Sequence, residues 1–319
     1  MVTSEAVSNM KFLSQKLSFS RGIVGVCQES DGMAVAHVLL REDAPPQLIA
    51  CAFLAGGIDE QAALLQGWLK KAGLATGRAV FSLAVDDYQM LQVAPPEVPD
   101  DELRDAVRWQ IQDLLDFPLE EAVIDVFQVP RDTRREGART AYVVVARQNL
   151  LRQKVALLKN AKLRLQAIDI PELVLRNIGN LLPGADRGVA LLYFGSDSGQ
   201  IIICRDGKLC LARNINIGAE ALRPGASYWQ DMVDSVALEI QRSLDFFESN
   251  FSQPAIGSLT LAPMGFDPAD LMVKLGETLG IRVQPLEIAD LLDCQITLDR
   301  PEQCLLAIGA ALRTETVGS

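Results

Sequence analysis

The sequence predicts an α/β protein made of two similarly patterned units, with a small α+β module inserted into the first. The order of three strands, one helix and one strand occurs twice, over residues 23–85 and 189–262. The stretch between the two copies, residues 86–170, carries strands and helices of its own. Because three strands and one helix cannot cover both faces of a sheet, we expect two such units packed around a cleft.

The first copy opens with three apolar runs separated by polar turns, at residues 23–27, 33–40 and 47–54. Such runs predict buried strands in a meander. A helix is predicted over residues 59–72, with Asp59 as its N-cap and Gly73 as its C-terminal stop. A further strand at residues 79–85 closes the first copy.

The inserted module alternates strands and helices. Its predicted elements are an extended run at 90–94, a helix at 99–117, strands at 123–129 and 140–146, a helix at 148–161 and a strand at 163–170. Acidic residues begin its first helix, where the helix dipole favours negative charge. The loop between its two strands holds the densest basic spot, Arg131, Arg134, Arg135 and Arg139. A solvated hairpin tip is the favoured interpretation of that loop, ahead of a binding patch.

The second copy repeats the pattern of the first. Its strands are predicted at 189–194, 200–204 and 208–214, its helix at 228–250 and its closing strand at 258–262. An Arg-Asp-Gly sequence at 205–207 predicts a hairpin turn. A helix at 268–279, a strand at 281–286 and a helix at 301–313 follow. The predicted boundaries are 10–85 with a return segment at 171–187 for the first unit, 86–170 for the module and 188–319 for the second unit.

Composition excludes several classes of protein. The chain has 319 residues, 49% of them hydrophobic, and a formal net charge of -11. This charge argues against an intrinsic nucleic-acid binder, because the backbone of nucleic acid is itself an anion. No apolar run approaches the length that spans a bilayer, and no signal peptide is recognisable. We therefore expect a soluble cytoplasmic protein.

Metal and nucleophile chemistry are also disfavoured. The six cysteines are spread singly and His37 is the only histidine, so a structural zinc site is not expected. His37 is interpreted as a packed or edge histidine. The pair Asp86 and Asp87 is interpreted as a solvated strand-to-turn junction, with a magnesium site as the alternative. No G-x-S-x-G, GxxxxGK[ST] or H-E-x-x-H motif occurs.

Four segments resemble one family in the right order. Residues 93–126, VAPPEVPDDELRDAVRWQIQDLLDFPLEEAVIDV, are similar to the inserted subdomain of PilM-type pilus assembly proteins. Residues 213–218 (RNINIG) and 238–249 (LEIQRSLDFFES) resemble its "R-x-I-x-x-G" and "E-I-x-R-S-L" motifs, and residues 305–313 (LLAIGAALR) its closing "aiGlAlR" helix. The resemblance covers residues 10–313 and implies an actin-like (ribonuclease H-like) fold. Within the family, the chain resembles the MshI proteins of mannose-sensitive haemagglutinin (MSHA) pili.

The first phosphate turn of the family is altered here. In PilM-like proteins this turn usually reads G-x-D-x-G-S-S and a lysine follows. With Gly25 on the first glycine, Cys27 takes the aspartate position. The later positions are then held by Glu29, Ser30, Asp31 and, in place of the lysine, Ala34. Two carboxylates beside a phosphate repel it unless a metal intervenes.

The second phosphate turn and the adenosine pocket are altered as well. The family's "D-I-G" reads Tyr-Phe-Gly at residues 193–195, although Asp197 could supply a displaced carboxylate. A double glycine at the adenosine pocket is replaced by APMG at residues 262–265. In relatives, the helix of Glu239 and Arg242 borders the nucleotide, but these two residues can also simply pair across one turn.

We therefore expect a degenerate ATPase site, with ATP and magnesium bound weakly or not at all, no catalytic residues and no metal site. The remnant nucleotide site is predicted at Gln28, Glu29, Ser30, Asp31, Gly195, Ser196, Asp197, Gly218, Glu239, Arg242 and Gly265.

The resemblance also implies a partner. In the family, the short cytoplasmic tail of a single-pass PilN-type membrane protein, MshJ in the haemagglutinin system, lies in a groove between the first unit and the inserted module. An extended peptide can place apolar side chains in such a groove and borrow main-chain hydrogen bonds. Candidate groove residues are Leu91, Val93, Trp109, Leu114 and Phe117, each of which could equally belong to the core.

The resulting hypothesis is a cytoplasmic scaffold, peripheral at the inner membrane through its partner, in the assembly platform of a type IV pilus of the MSHA type. Its contact with the pilus assembly ATPase would be indirect. One alternative is a live ATPase that uses Glu29, Asp31 and Asp197 in unusual places. Another is the related cytoplasmic domain of type II secretion platforms, which normally continues into a membrane-spanning helix.

Overall fold

A computed structural model describes residues 22–29, 31–74, 77–99, 102–130, 139–251 and 255–314. Contacts divide the chain into two compact units. Unit 1 comprises Met1–Ser82, Val155–Asp169 and Ile288–Ser319, and unit 2 comprises Leu83–Lys154 and Ile170–Glu287. Both units are therefore assembled from segments that are distant in the sequence.

The described residues form fourteen strands and eight α-helices. The strands are β1 Ile23–Gln28, β2 Gly32–Leu39, β3 Gln47–Ala55, β4 Gly77–Ser82, β5 Tyr88–Val93, β6 Ala122–Gln128, β7 Ala141–Arg147, β8 Leu163–Asp169, β9 Val189–Phe194, β10 Gly199–Arg205, β11 Lys208–Ile215, β12 Ser258–Leu261, β13 Arg282–Pro285 and β14 Asp293–Cys294. The helices are α1 Gln61–Lys71, α2 Leu103–Gln110, α3 Gln148–Asn160, α4 Pro171–Gly179, α5 Trp229–Phe251, α6 Ala269–Leu279, α7 Ile288–Leu291 and α8 Pro301–Ala311. Short 3-10 turns cover Val85–Asp87, Gln112–Leu114, Leu119–Glu121 and Ala219–Leu222.

Unit 1 is built on a six-stranded sheet in the order β14-β3-β2-β1-β4-β8. Strands β1, β2 and β3 form an antiparallel meander, and β4 and β8 continue the sheet in parallel. Helix α8 packs on β1, β2 and β4. At Gly25 the helix comes so close that an added Cβ atom would overlap the backbone of Ala307 and Ala311. Gly25, read from the sequence as part of a phosphate turn, therefore allows this close packing of helix on strand.

Unit 2 contains a second sheet in the order β11-β10-β9-β12-β13. Its meander β9-β10-β11 is antiparallel, and β12 and β13 join in parallel. Apart from the two-residue β14, the two sheets share one strand order, which is the duplication that the sequence pattern predicts. The core on this sheet is lined by one face of α5, including Val236, Ile240 and Phe247. At the β10–β11 turn, Asp206 and Gly207 both have positive φ, as the predicted hairpin requires.

The inserted module also belongs to unit 2. Its three-stranded sheet has the order β5-β7-β6 and is antiparallel throughout. Helix α2 packs on this sheet through Leu103, Val107 and Ile111, which are spaced by four residues and fully buried.

Four predicted domain assignments need correction. The module is predicted as an insertion in the first unit and residues 171–187 as a return to it, but Leu83–Lys154 and Ile170–Glu287 both lie in unit 2. The strand at residues 163–170 was assigned to the module, but it forms β8 and pairs with β4 of unit 1. The C-terminal segment was assigned to the second unit, but α8 packs on the sheet of unit 1. Both elements are apolar enough to suit either sheet, and long-range pairing decides between the two.

Two local predictions also differ from the structure. Among the described residues, the helix predicted over 99–117 spans Leu103–Gln110, and it ends early because the chain changes to a 3-10 turn at Gln112–Leu114. Asp59 is not the N-cap of α1: that position is Glu60, which makes no capping hydrogen bond with its side chain. The short elements α7 and β14 had no counterpart in the prediction, because two to four residues carry too little periodicity to detect.

Candidate functional site

The first predicted phosphate turn is a tight connection between β1 and β2. The Glu29 N–H donates to the Gly32 carbonyl oxygen at 2.9 Å, and the Gly56 N–H donates to the Asp31 carbonyl oxygen at 3.1 Å. Ser30 lies outside the described residues. Cys27, at the position where the family has its aspartate, is buried and pairs with Ala34. A buried thiol in an apolar strand cannot replace the negative charge of a carboxylate.

Gln28 is engaged inside unit 1. Its Nε2 donates to Oε1 of Gln61 at 2.5 Å, and Gln61 Nε2 donates to the carbonyl oxygen of Gly32 at 3.1 Å. Both glutamine side chains are buried. The two amides therefore tie the turn to the start of α1.

Glu29 lies near two other acidic side chains at this turn. Burial, and then the charges of Asp31 and Glu302, raise the pKa of Glu29 to about 7. Glu29 therefore lies close to two other acidic side chains, and this arrangement is unfavourable for a bound anion. Within the part of the chain that the structure describes, no three His, Cys, Asp or Glu side chains come together to hold a metal ion.

The second predicted turn is closed by its own hydrogen bonds. The Gly195 N–H donates to the Ser198 carbonyl oxygen at 2.8 Å, and the Ala219 N–H donates to the Gly195 carbonyl oxygen at 2.8 Å. The Ser196 hydroxyl donates to Oδ2 of Asp197 at 3.1 Å. Several donors that could have met a phosphate are therefore occupied inside the protein.

Gly218 supports the same turn from the side. Its Cα lies so close to Ser196 and Asp197 that an added Cβ atom would overlap the Ser196 carbonyl group. The residue is buried. The close packing of two backbone segments therefore explains why this position is a glycine, and no bound ligand is needed for that explanation.

The remaining predicted nucleotide residues lie on α5 and after β12. Glu239 accepts a hydrogen bond from Arg242 at 2.7 Å and lies 3.6 Å from Arg213 NH1, so this carboxylate is shared by two arginines. Gly265 is exposed and lies in the loop after β12. At the start of this loop, the Ala262 N–H donates to the Leu192 carbonyl oxygen at 2.8 Å. Glu239 and Arg242 thus pair across one helical turn, which is the local interaction that their spacing of three residues predicts.

The five predicted groove residues fall into two groups. Leu91, Val93 and Phe117 pack against the core of the module, and the Phe117 ring lies 4.1 Å from the Arg147 guanidinium. Trp109 and Leu114, in contrast, are 73% and 58% exposed. Trp109 follows the buried Val107 by two residues and so lies about 200° around the helix from it, on the face directed away from the module core.

A buried polar network was missed by the sequence analysis. Glu172 is completely buried, and it accepts hydrogen bonds from the Tyr88 hydroxyl at 2.6 Å and from Gln200 Nε2 at 3.0 Å. Gln200 Nε2 also donates to Asn214 Oδ1 at 2.9 Å. In sequence, Glu172 looks like an ordinary acidic residue at a helix start, directly after a proline. Nothing in the local pattern signals its burial, because its partners are 28 and 84 residues away.

Two other predictions concern single residues. Asp86 is exposed, as expected of a solvated junction, but Asp87 is not: it pairs with Lys154 at 3.0 Å and its side chain is only 16% exposed. His37 is buried in β2, which agrees with a packed histidine.

All six cysteines have free thiols and are buried or half-buried. Among the described residues, no helix has the length and apolar character needed to cross a bilayer.

The sequence matches a family model, "Type IV pilus assembly protein PilM", over residues 55–226, more than half of the chain. The chain belongs to this family. The matched region contains the whole inserted module and all three strands of the second meander, β9 to β11, and it carries two of the resembling motifs. No curated protein matches the sequence significantly.

Solved structures support the same fold. The structure of a "PilM-PilN type IV pilus biogenesis complex" matches with a TM-score of 0.68 and 20% identity, covering 91% of this chain and 98% of the other. The cytoplasmic domain of EpsL, from the type II secretion system of Vibrio cholerae, matches at 0.50 and 13%, covering 92% and 96%. A Bacteroides thetaiotaomicron protein with an actin-like ATPase fold also matches at 0.50 and 13%, covering 91% and 97%. The predicted actin-like fold and the PilM-like family are thus confirmed.

Proposed function

We propose that this PilM-like protein is a scaffold of a pilus assembly platform at the inner membrane. It binds the cytoplasmic N-terminal tail of a single-pass PilN-type protein, and its nucleotide site no longer works. Membership of the PilM family and the likeness to the PilM of a PilM–PilN complex support this assignment. The observation that carries the binding site is the exposure of Trp109 on the inserted module.

The exposed indole is unusual for this module. Most of its large apolar side chains fill the small core between α2 and the sheet, whereas Trp109 and Leu114 are mostly exposed and Val123 is 40% exposed. Exposed apolar side chains that form a contiguous patch mark an interaction surface, and Trp109 in α2 is followed closely by Leu114 in the next 3-10 turn. Tryptophan is also the residue most enriched among those that dominate binding energy, because it buries a large rigid area. We therefore assign Trp109 as the main anchor and Leu114 as its neighbour.

The test is calorimetric titration of the full chain with a synthetic peptide that has the sequence of the cytoplasmic N-terminal tail of a PilN-type protein from the same genome. Trp109→Ala is expected to weaken binding by about 30-fold, the loss typical of a central interface residue. Tyr228→Ala is the matched control, since Tyr228 is an equally exposed aromatic residue in the same unit but outside the module. Equal affinity of the Trp109→Ala variant and the wild type would contradict the placement. A tail that fails to bind the wild type would overturn the proposed function.

The proposed loss of nucleotide binding is supported by the chemistry of both turns. The first turn has a buried cysteine in place of an aspartate and carries interacting carboxylates. The second turn uses its own amides and a hydroxyl internally. A ligand that binds only the native state must raise the unfolding midpoint. We expect no rise with millimolar Mg-ATP, and a clear rise would favour the alternative of an active ATPase.

The more specific assignment is to the MSHA type of pilus, with an MshJ-type protein as partner and a cytoplasmic location at the membrane surface. The overall resemblance of the sequence to MshI proteins supports it. Co-purification of this chain with a tagged MshJ-type protein from detergent-solubilised membranes is the expected result. Recovery instead with a type II secretion component would favour the second alternative, to which the EpsL-like fold belongs.

A further inference from the structure

The buried network around Glu172 joins the inserted module to the larger sheet of unit 2. Tyr88 is the first residue of β5, in the module, and Gln200 is the second residue of β10, in the larger sheet. Glu172, near the start of α4, lies between them and accepts a hydrogen bond from each. A carboxylate that is completely buried is costly unless its oxygens have donors. Both carboxylate oxygens of Glu172 are supplied in this way, one from each side.

A second tyrosine of the module makes a parallel connection. The Tyr142 hydroxyl, from β7, lies 3.3 Å from the Ala212 amide nitrogen and 3.5 Å from its carbonyl oxygen, on β11. Burial, followed by the charge of Glu172, raises the pKa of Tyr88, and burial raises that of Tyr142 as well. Both hydroxyls therefore keep their protons and remain able to donate. Two neighbouring strands of the module thus reach two neighbouring strands of the sheet.

We propose that Glu172 is a positioning residue. It holds the inserted module against the five-stranded sheet of the same unit through Tyr88 and Gln200, and so orients the partner-binding surface. The inference rests on the proposed function, because the surface that Glu172 would orient is the proposed binding site for the partner's tail. Strand β5 makes the connection direct: Tyr88 is at its start, and Leu91 and Val93 farther along pack in the module core beneath α2, which carries Trp109. Removing the Tyr88 hydrogen bond is therefore expected to increase the mobility of β5 and of α2, which carries Trp109.

The first arm of the test needs no partner. Hydrogen exchange of the full chain is compared for wild type, Tyr88→Phe and Ser243→Ala. Ser243 is the matched control: it is buried in the same unit, and its hydroxyl makes one hydrogen bond, to the Glu239 carbonyl oxygen at 2.7 Å. In Tyr88→Phe we expect the amides of β5 and β7 to exchange about tenfold faster, because a buried carboxylate oxygen loses its donor. Unchanged exchange in the module, or equal acceleration in Ser243→Ala, would overturn the proposal.

The second arm separates positioning from simple destabilisation. Glu172→Gln can still accept from Gln200 and can donate to the Tyr88 oxygen, whereas Glu172→Ala can do neither. We expect the tail peptide to bind Glu172→Gln within about twofold of wild type and Glu172→Ala about tenfold more weakly. Ser243→Ala should bind like wild type. Equal affinity of Glu172→Ala and wild type would contradict the positioning role.

The two arms also distinguish this inference from the proposed function. If the wild type does not bind the tail peptide, the proposed function fails, while the exchange arm still decides whether Glu172 holds the module. If Trp109→Ala loses binding but exchanges like wild type, and Tyr88→Phe changes exchange, both the anchor and its support are established.

Discussion

At the scale of single residues, Glu29 is the titratable group whose environment matters most for the remnant site. It carries a pKa near 7 because it is mostly buried and lies near Asp31 and Glu302. In the unfolded chain the carboxyl has an ordinary pKa near 4.5. Between these two values the native state binds more protons than the unfolded state, so stability falls as pH rises through this window.

We therefore predict that Glu29→Gln stabilises the protein at pH 8 and has little effect at pH 5. The gain at pH 8 is expected to be about 1–2 kcal/mol, once solvent screening of a partly accessible group is allowed for. Urea unfolding at both pH values measures it, with Glu277→Gln, at an exposed position on α6, as the control. A gain of equal size at pH 5 and pH 8 would show that Glu29 does not titrate in this range.

Residue identities in the two turns could be read from the sequence, but their roles could not. The family resemblance puts Cys27, Glu29 and Asp31 in the first turn; the structure places Glu29 and Asp31 there, but Cys27 lies within β1. What the sequence lacked was the set of hydrogen bonds, such as that from the Gly195 amide to Ser198, which uses donors internally. Such bonds depend on exact turn geometry, and turn residues of the same type can point into or away from a site.

At the scale of elements, the close contact of α8 with β1 gives a sharp prediction. Gly25→Ala would place a methyl group into the backbone of α8 near Ala307, where neither element can yield easily. We expect a loss of about 3 kcal/mol or more in unfolding free energy, measured by urea denaturation. Gly67→Ala is the control in the same unit: it has no atom within 4 Å of the new methyl group and should stabilise α1 by about 0.5–1 kcal/mol.

Long elements were predictable because their apolar pattern is strong. The meanders, α5 and the strands of the module all lie within a few residues of the predicted positions. The helix predicted at 99–117 was too long because its polar and acidic residues fit a helix or a 3-10 turn equally well. The partner of β8 was not predictable either, since an apolar strand after a helix can join either of two sheets.

At the scale of the whole molecule, unit 1 depends on a contact between two distant segments. Arg313, after α8, pairs with Asp169, at the end of β8, at 2.6 Å, and the Asp169 side chain is 1% exposed. We predict that Arg313→Ala costs about 3–5 kcal/mol, because it leaves a buried carboxylate without its cation. Chemical denaturation measures the loss, and Arg313→Lys is expected to recover part of it. A loss below about 1 kcal/mol would show that water or another group replaces the arginine.

The largest feature that the sequence does not predict is that the inserted module belongs to unit 2. Its elements could be recognised, yet its attachment to unit 2 depends on Tyr88 and Tyr142, which look like ordinary strand residues. The family was recognisable because four short motifs occur in a fixed order. Motif order is a property of the chain, whereas attachment is a property of side chains that meet only after folding.

The discontinuous make-up of the two units has a practical consequence. The backbone passes from one unit to the other four times, after Ser82, Lys154, Asp169 and Glu287. No single stop codon or start site can therefore yield either unit intact. Isolating unit 2 would require a gene that omits residues 155–169 and bridges the gap with a short linker.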